Sequence, residues 1–306
     1  MNSQTIKQFF RFVEIETKLA TVIPSLVALA YVFYTIGTIN IKSMSIYFVA
    51  ALFLDMAVTA INNHLDKRED HNQTPHYSNR VSIGLICVML LVFAVLGLYL
   101  TYLHGVTVFL AGALCLLIGV TYTFGPAPIS KSPFGEAASG FIAGTVVMFI
   151  VVSINNPAFS PLGLTIDFSQ WRVSMDIDLI GLASFVLITL PAAFCTANIM
   201  LANNICDAER DRPFRYTIVH HIGVKKALHL FSGLYYASFL AIAFASVLGL
   251  IPLWCLLTLG VLPLVRKNIR LFFNEQKKST TFFLAIKNFM TIMLVYMLGI
   301  MLGGII

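Results

Sequence analysis

Nine long apolar runs, separated by short polar or Gly/Pro-rich breaks, constrain this chain more than any other feature. They cover roughly residues 19–36, 44–64, 81–103, 106–123, 134–154, 178–204, 224–248, 251–267 and 281–304. A helix needs about 20 mostly apolar residues to cross a hydrocarbon core. In lipid the backbone must satisfy its own hydrogen bonds, and continuous runs of this length do so as helices rather than barrel strands. The expected fold is an all-α integral membrane protein of about nine transmembrane helices in one bundle. Composition agrees: 58% of residues are hydrophobic and 11% charged, whereas soluble domains carry roughly 25% charged residues. Across 306 residues this leaves no room for a separate soluble domain, so 1–306 reads as a single transmembrane domain.

The first 18 residues are polar and amphipathic, with Lys7, Arg11 and Lys18, and run into apolar sequence without a small-residue cleavage site. No removable signal peptide is expected. The cysteines (Cys87, Cys115, Cys195, Cys206, Cys255) are isolated and mostly within apolar runs, which reads as packing rather than zinc binding or disulfides. A net charge of +6 does not indicate nucleic acid, because 18 of the 20 Lys and Arg residues fall on one side of the nine-span topology and only Lys42 and Arg172 on the other. That asymmetry makes the basic side cytoplasmic. The N-terminus is then inside and, after an odd number of spans, the C-terminus outside, in the cell membrane. The segment 155–177, with Pro157, Pro161, Gly163 and Trp171, reads as an external interfacial loop.

Two polar motifs close the second and sixth spans: Asn62-x3-Asp66-x3-Asp70 and Asn203-x3-Asp207-x3-Asp211, offset by 141 residues at each position (203 − 62, 207 − 66, 211 − 70). The offset marks a weak repeat of two halves, about 1–133 and 134–306. Both motifs end even-numbered spans, so they arrive on one face, unlike an inverted transporter repeat. Residues four apart share a helix face, so each motif is a ladder of oxygen ligands, the first extended inward by Thr59 and Asp55. Such hard oxygen donors suit Mg2+, which prefers one or two carboxylates plus substrate phosphates. The plain alternative is solvated helix ends, which two ladders of identical spacing make the poorer account. Asp55 lies about three turns inside its span, where a carboxylate is costly and a functional candidate; a hydrogen-bonded packing role is the alternative.

Cations cluster on the same side. Lys67 and Arg68 lie within the first motif, Arg210, Arg212 and Arg215 surround the second, and Lys131 follows the fourth span. Arg68, Lys131 and Arg215 are candidates for neutralising a departing diphosphate. Lys225, Lys226 and the 266–278 cluster need only the topological bias to explain them. The loop from Tyr122 to Glu136 carries three prolines and two glycines, which stop one helix and stiffen the connection, with Tyr122 a candidate substrate contact.

Together these features resemble the UbiA superfamily of membrane prenyltransferases, and within it the 1,4-dihydroxy-2-naphthoate polyprenyltransferases. The resemblance rests on the Glu14-Ile-Glu-Thr-Lys18 lead-in, both aspartate motifs, Gly125-Pro-Ala-Pro-Ile129 to Pro133-Phe-Gly-Glu136, and Asn203-Asn-Ile-Cys-Asp207 followed by Arg215-Tyr-Thr-Ile218. It implies a bundle with a central cavity, in which Mg2+ held by Asp66, Asp70, Asp207 and Asp211, with Asn62 and Asn203, binds a polyprenyl diphosphate. Lys18, Arg68, Tyr122, Lys131 and Arg215 would contact substrate. It also implies an aromatic acceptor, a bilayer setting, and no obligate protein partner. Two departures stand out: Asn63 replaces a carboxylate in the first motif, and Pro213-Phe214-Arg215 replaces the usual Gly-Lys or Gly-Arg after the second. Another acceptor (4-hydroxybenzoate or a glycerol-phosphate lipid) is the alternative within the family. A carboxylate-based transporter is the alternative from another class.

Overall fold

The computed structural model describes residues 3–69, 77–156, 161–167, 169–212 and 215–306. An amphipathic helix α1 (Ser3–Phe12) leads through a 3-10 turn (Ile15–Lys18) into α2 (Leu19–Ile36), α3 (Ile41–Glu69), α4 (Asn79–His104) and α5 (Val106–Thr123). The fifth span is composite: α6 (Gly135–Gly140), a π-helical turn (Phe141–Val146) and α7 (Val147–Asn155). A hairpin of β1 (Leu162–Asp167) and β2 (Arg172–Ile177) precedes α8 (Leu179–Cys206), α9 (Ala208–Asp211), α10 (Ile218–Ile222) and α11 (Val224–Val247). A 3-10 segment (Leu253–Val261), α12 (Leu262–Asn274) and α13 (Phe283–Ile305) complete the chain.

Among the described residues, eight helices are long and apolar enough to cross a membrane. The run at 251–267 supplies a ninth crossing in a different form, 3-10 first and α-helical afterwards. Cys255 and Pro252 at its start lie against Gly299 and Gly303 near the end of α13. Past its far end Lys278 bonds Asp207, so the segment runs from one end of the bundle to the other. The protein is a multi-pass membrane protein, and the ladder-bearing helices α3 and α8 end on the same side.

The 155–177 segment holds more order than a loop. β1 and β2 pair antiparallel, with Leu162 opposite Ile177 and Leu164 opposite Met175. Successive strand residues face opposite sides, so these apolar residues share one face. Asp178 then caps α8, its Oδ1 accepting from the Gly181 amide at 2.9 Å.

Tight packing joins the composite fifth span to α8. A Cβ built on Gly144 would fall 2.3 Å from both the Cα and the N of Ala193, and one on Gly140 would fall 2.5 Å from the Ala193 carbonyl. Only hydrogen at these positions lets the backbones approach so closely, as in small-x3-small contacts between membrane helices. The π turn sits at this contact, beside Pro191 inside α8, and the Thr145 and Thr189 hydroxyls bond across it at 3.2 Å.

The two sides of the bundle fill differently. Among the later spans, Tyr235, Tyr296, Phe231, Phe272 and Phe289 are fully buried, and Tyr235 and Tyr296 donate to the carbonyls of Ala285 and Ile188. Between α2, α3, α4, α5 and the fifth span the lining is smaller (Ala50, Ala51, Gly97, Gly112, Gly119), and a cavity of about 540 Å3 remains. It therefore lies among the first five spans, closed on one side by Thr196 and Met200 of α8. Leu98 and Phe109 line it and are themselves 59% and 43% exposed, so it opens sideways between α4 and α5.

Candidate active site

The second ladder forms as its spacing predicts. Backbone bonds run from Asp207 N to Asn203 O (3.0 Å), Asp211 N to Asp207 O (2.9 Å) and Arg215 N to Asp211 O (2.9 Å). Each residue thus sits one turn beyond the last, and Arg215 extends the line. Asp207 is 5% exposed. Its Oδ2 accepts from Lys278 Nζ at 2.7 Å and from the Arg210 guanidinium at 2.9 Å. Arg210 Nε also reaches Asp211 Oδ1 at 3.2 Å, and Arg215 Nε stands 3.8 Å from Asp211 Oδ2. One guanidinium therefore bridges both carboxylates. Partial burial alone would weaken its hold on the proton, but Asp207 and Asp211 outweigh that and raise the Arg210 pKa.

Neighbouring segments lock onto this line. His220 Nε2 lies 2.8 Å from the Ala208 carbonyl; a carbonyl only accepts, so Nε2 carries hydrogen and Nδ1 accepts from the Thr217 hydroxyl at 3.0 Å. The Tyr216 amide donates to Lys131 O at 3.0 Å, fixing the 122–136 loop beside the ladder. Asn204 donates to Glu136 Oε1 at 2.8 Å in a buried pair, and Glu136 Oε2 finds no hydrogen-bond partner among the described residues. Tyr122 lines the cavity.

The first ladder is described in part. Asp66 and Arg68 occupy the last turn of α3 by their backbone; their side chains, and Asp70 altogether, lie outside the described residues. Asn62 is half-buried and engaged. Asn63 donates from Nδ2 to Phe12 O at 3.0 Å. A carboxylate cannot donate that bond, so the amide at this departure from the family pattern has a structural reason: it fastens α1 to α3. Among the described residues no three His, Cys, Asp or Glu side chains gather as a metal site. The paired carboxylates of Asp207 and Asp211, converging on one cation, are the oxygen donors that suit Mg2+.

Further into the bundle, Lys18 is 4% exposed. Its ammonium donates to Asp55 Oδ1 at 2.8 Å, to Asp55 O at 3.2 Å and to the Thr59 hydroxyl, while the Thr21 hydroxyl donates to Asp55 Oδ2 at 2.7 Å. Asp55, Thr21 and Thr59 line the cavity. The sequence marked Asp55 and Lys18 separately; 37 residues apart, they gave no local sign of pairing. Lys278, which the sequence assigned to topology alone, proves to sit on Asp207 from 71 residues away.

The sequence pattern of the UbiA prenyltransferase family matches residues 21–295. The chain belongs to this family. A 1,4-dihydroxy-2-naphthoate octaprenyltransferase of Bacillus subtilis (strain 168) is 34% identical over 157 residues, covering 51% of this chain and 42% of that protein. The match thus spans less than half of the relative's length. A UbiA homologue from Archaeoglobus fulgidus, solved bound to GPP and Mg2+, superposes with a TM-score of 0.64 at 13% identity over 98% of this chain and 100% of its own. The apo structure of a UbiA homologue from Aeropyrum pernix K1 gives 0.65 at 16% identity, over 92% and 98%. At such identities the likeness concerns the fold. Family membership sets aside the transporter alternative.

Proposed function

We propose that this UbiA-family chain transfers a polyprenyl group from a polyprenyl diphosphate to an aromatic acceptor, 1,4-dihydroxy-2-naphthoate, giving the demethylmenaquinone skeleton. The observation that carries this reading is the line Asn203, Asp207, Asp211 and Arg215, which starts about one turn beyond Met200 of the cavity wall and runs on for about three more. A carboxylate pair suited to Mg2+ thereby adjoins an apolar space suited to a prenyl chain. The partial match to the Bacillus naphthoate enzyme supports the choice of acceptor.

Asp207 and Asp211, with Asp66, Asp70, Asn62 and Asn203, would hold Mg2+. When bound, the metal supplies positive charge that stabilises the departing diphosphate. Arg210, Arg215 and Lys278 add cations at the same place, with Lys131 and Arg68 on flanking segments. The bond between C1 of the prenyl chain and the diphosphate oxygen breaks, the electron pair leaving with diphosphate. The electron-rich ring attacks C1 through the carbon bearing its carboxyl group, which departs as carbon dioxide while its bonding electrons return to the ring. The apolar walls keep water from intercepting the allylic cation. The basic asymmetry supports a cell-membrane location with the ladders and N-terminus cytoplasmic and the C-terminus outside.

Protein purified in lipid nanodiscs should form prenylated naphthoquinol, identified by mass, from the naphthoate and a polyprenyl diphosphate. Chelating divalent metal should stop the reaction and Mg2+ restore it. Asp66→Ala and Asp207→Ala should each abolish turnover; full activity in both variants, or a product only with 4-hydroxybenzoate or a glycerol-phosphate lipid, would overturn the assignment.

A further inference from the structure

Among the described residues that line the cavity, Asp55 is the one with a formal charge. Its partner explains how a carboxylate is tolerated at this depth, since charges within a bundle pair with one another. The arrangement is directional. Lys18 is not part of the lining, is 5% exposed at its side chain, and has its ammonium taken up by Asp55 and Thr59 behind the wall. The Asp55 side chain is 25% exposed and faces the cavity. An ionised carboxylate offers about four acceptor sites. Lys18 occupies one on Oδ1 and Thr21 one on Oδ2, so acceptor capacity is left toward the space between the helices.

A largely apolar cavity with one charged acceptor selects its occupant by chemistry. Neither a prenyl chain nor an ionised diphosphate has a donor to offer. An aromatic hydroxyl is a donor on an apolar body and satisfies both the acceptor and the walls. We propose that Asp55 accepts the hydrogen bond of the acceptor's free ring hydroxyl, making it a binding and orienting residue for the aromatic substrate. The identity of the ligand rests on the function proposed above. In 1,4-dihydroxy-2-naphthoate the 1-hydroxyl is bonded internally to the neighbouring carboxylate, which leaves the 4-hydroxyl as the donor. The bond holds the ring in a fixed orientation as it attacks C1. No net proton transfer is required, because loss of carbon dioxide leaves both hydroxyls protonated.

The experiment compares two acceptors that differ by that hydroxyl, 1,4-dihydroxy-2-naphthoate and 1-hydroxy-2-naphthoate, in wild type and Asp55→Asn. The variant should raise KM for the dihydroxy acceptor about tenfold or more, as expected for loss of a charge-assisted bond. The Ki of the monohydroxy compound and the KM of the polyprenyl diphosphate should stay within twofold. Asp55→Asn strands a buried ammonium, so Asp55→Asn/Lys18→Met, which removes both charges, serves as the second variant and should give the same split. Calorimetric titration of both acceptors reads the split without turnover. Wild type that binds with the split but makes no prenylated product would refute the proposed reaction and keep this site. Equal changes for both acceptors, or none, would refute the role of Asp55.

Discussion

The contact between Gly144 and α8 allows a sharp test of how the site is held. A methyl group at Gly144 would start 2.3 Å from two backbone atoms of Ala193, against 3.4 Å or more for ordinary contact. Backbone cannot rotate away as a side chain can, so the fifth span and α8 must part by roughly 1 Å at this level. Overpacking of this kind costs about 1–3 kcal/mol, and purely backbone neighbours argue for the upper half. At about 2–4 °C per kcal/mol, Gly144→Ala should melt on the order of 4–12 °C below wild type in a detergent thermal-unfolding assay. Gly84→Ala in α4, where nothing lies within 4 Å, is the matched control and should shift little. The two parted helices carry Glu136 and Asn204, so turnover should fall with stability. If Gly144→Ala melts with Gly84→Ala, the close approach is not what joins these helices.

Three further outcomes follow from the site. Lys278→Met removes one of the two cations on Asp207 Oδ2 and leaves Arg210 there, the lost pair being worth about 0.2–1 kcal/mol. The Mg2+ concentration for half-maximal activity should then fall roughly 1.5- to 5-fold, read by metal titration of the rate; an increase would count against competition for that oxygen. Asn204→Leu leaves buried Glu136 without its partner and should cost about 1–3 kcal/mol, while Glu136→Gln retains the acceptor and should melt near wild type. Asn63→Asp restores the carboxylate common in the family but loses the bond to Phe12 O; limited proteolysis should then cut near α1 faster, with no gain in turnover.

How much of this was legible depended on distance along the chain. The crossings among the described residues follow from runs of apolar residues, and the ladder at Asn203, Asp207 and Asp211 from a spacing of four, because both are set by neighbours within a turn or two. The 162–177 hairpin also left a signal, the alternation of Val173, Met175 and Ile177 with polar residues, which the nearby prolines and glycine obscured in favour of a loop. The 3-10 start of the ninth crossing was not legible, since Leu253–Val261 has the composition of any apolar helix. Neither were Lys18 with Asp55, Asn63 with Phe12 or Lys278 with Asp207. These pairs form only once the helices dock, and no periodicity announces which cation meets which carboxylate. The side-opening cavity likewise depends on how large and small residues from different spans meet.

That opening has a kinetic consequence. A long apolar ligand entering between α4 and α5, past Leu98 and Phe109, arrives from the membrane plane and leaves into it. Its effective concentration is then a mole fraction of the bilayer, not an amount per volume of water. Diluting the membrane with inert phospholipid at constant total prenyl substrate should slow the reaction as surely as withholding substrate, whereas changing the aqueous volume should leave the rate per enzyme unchanged.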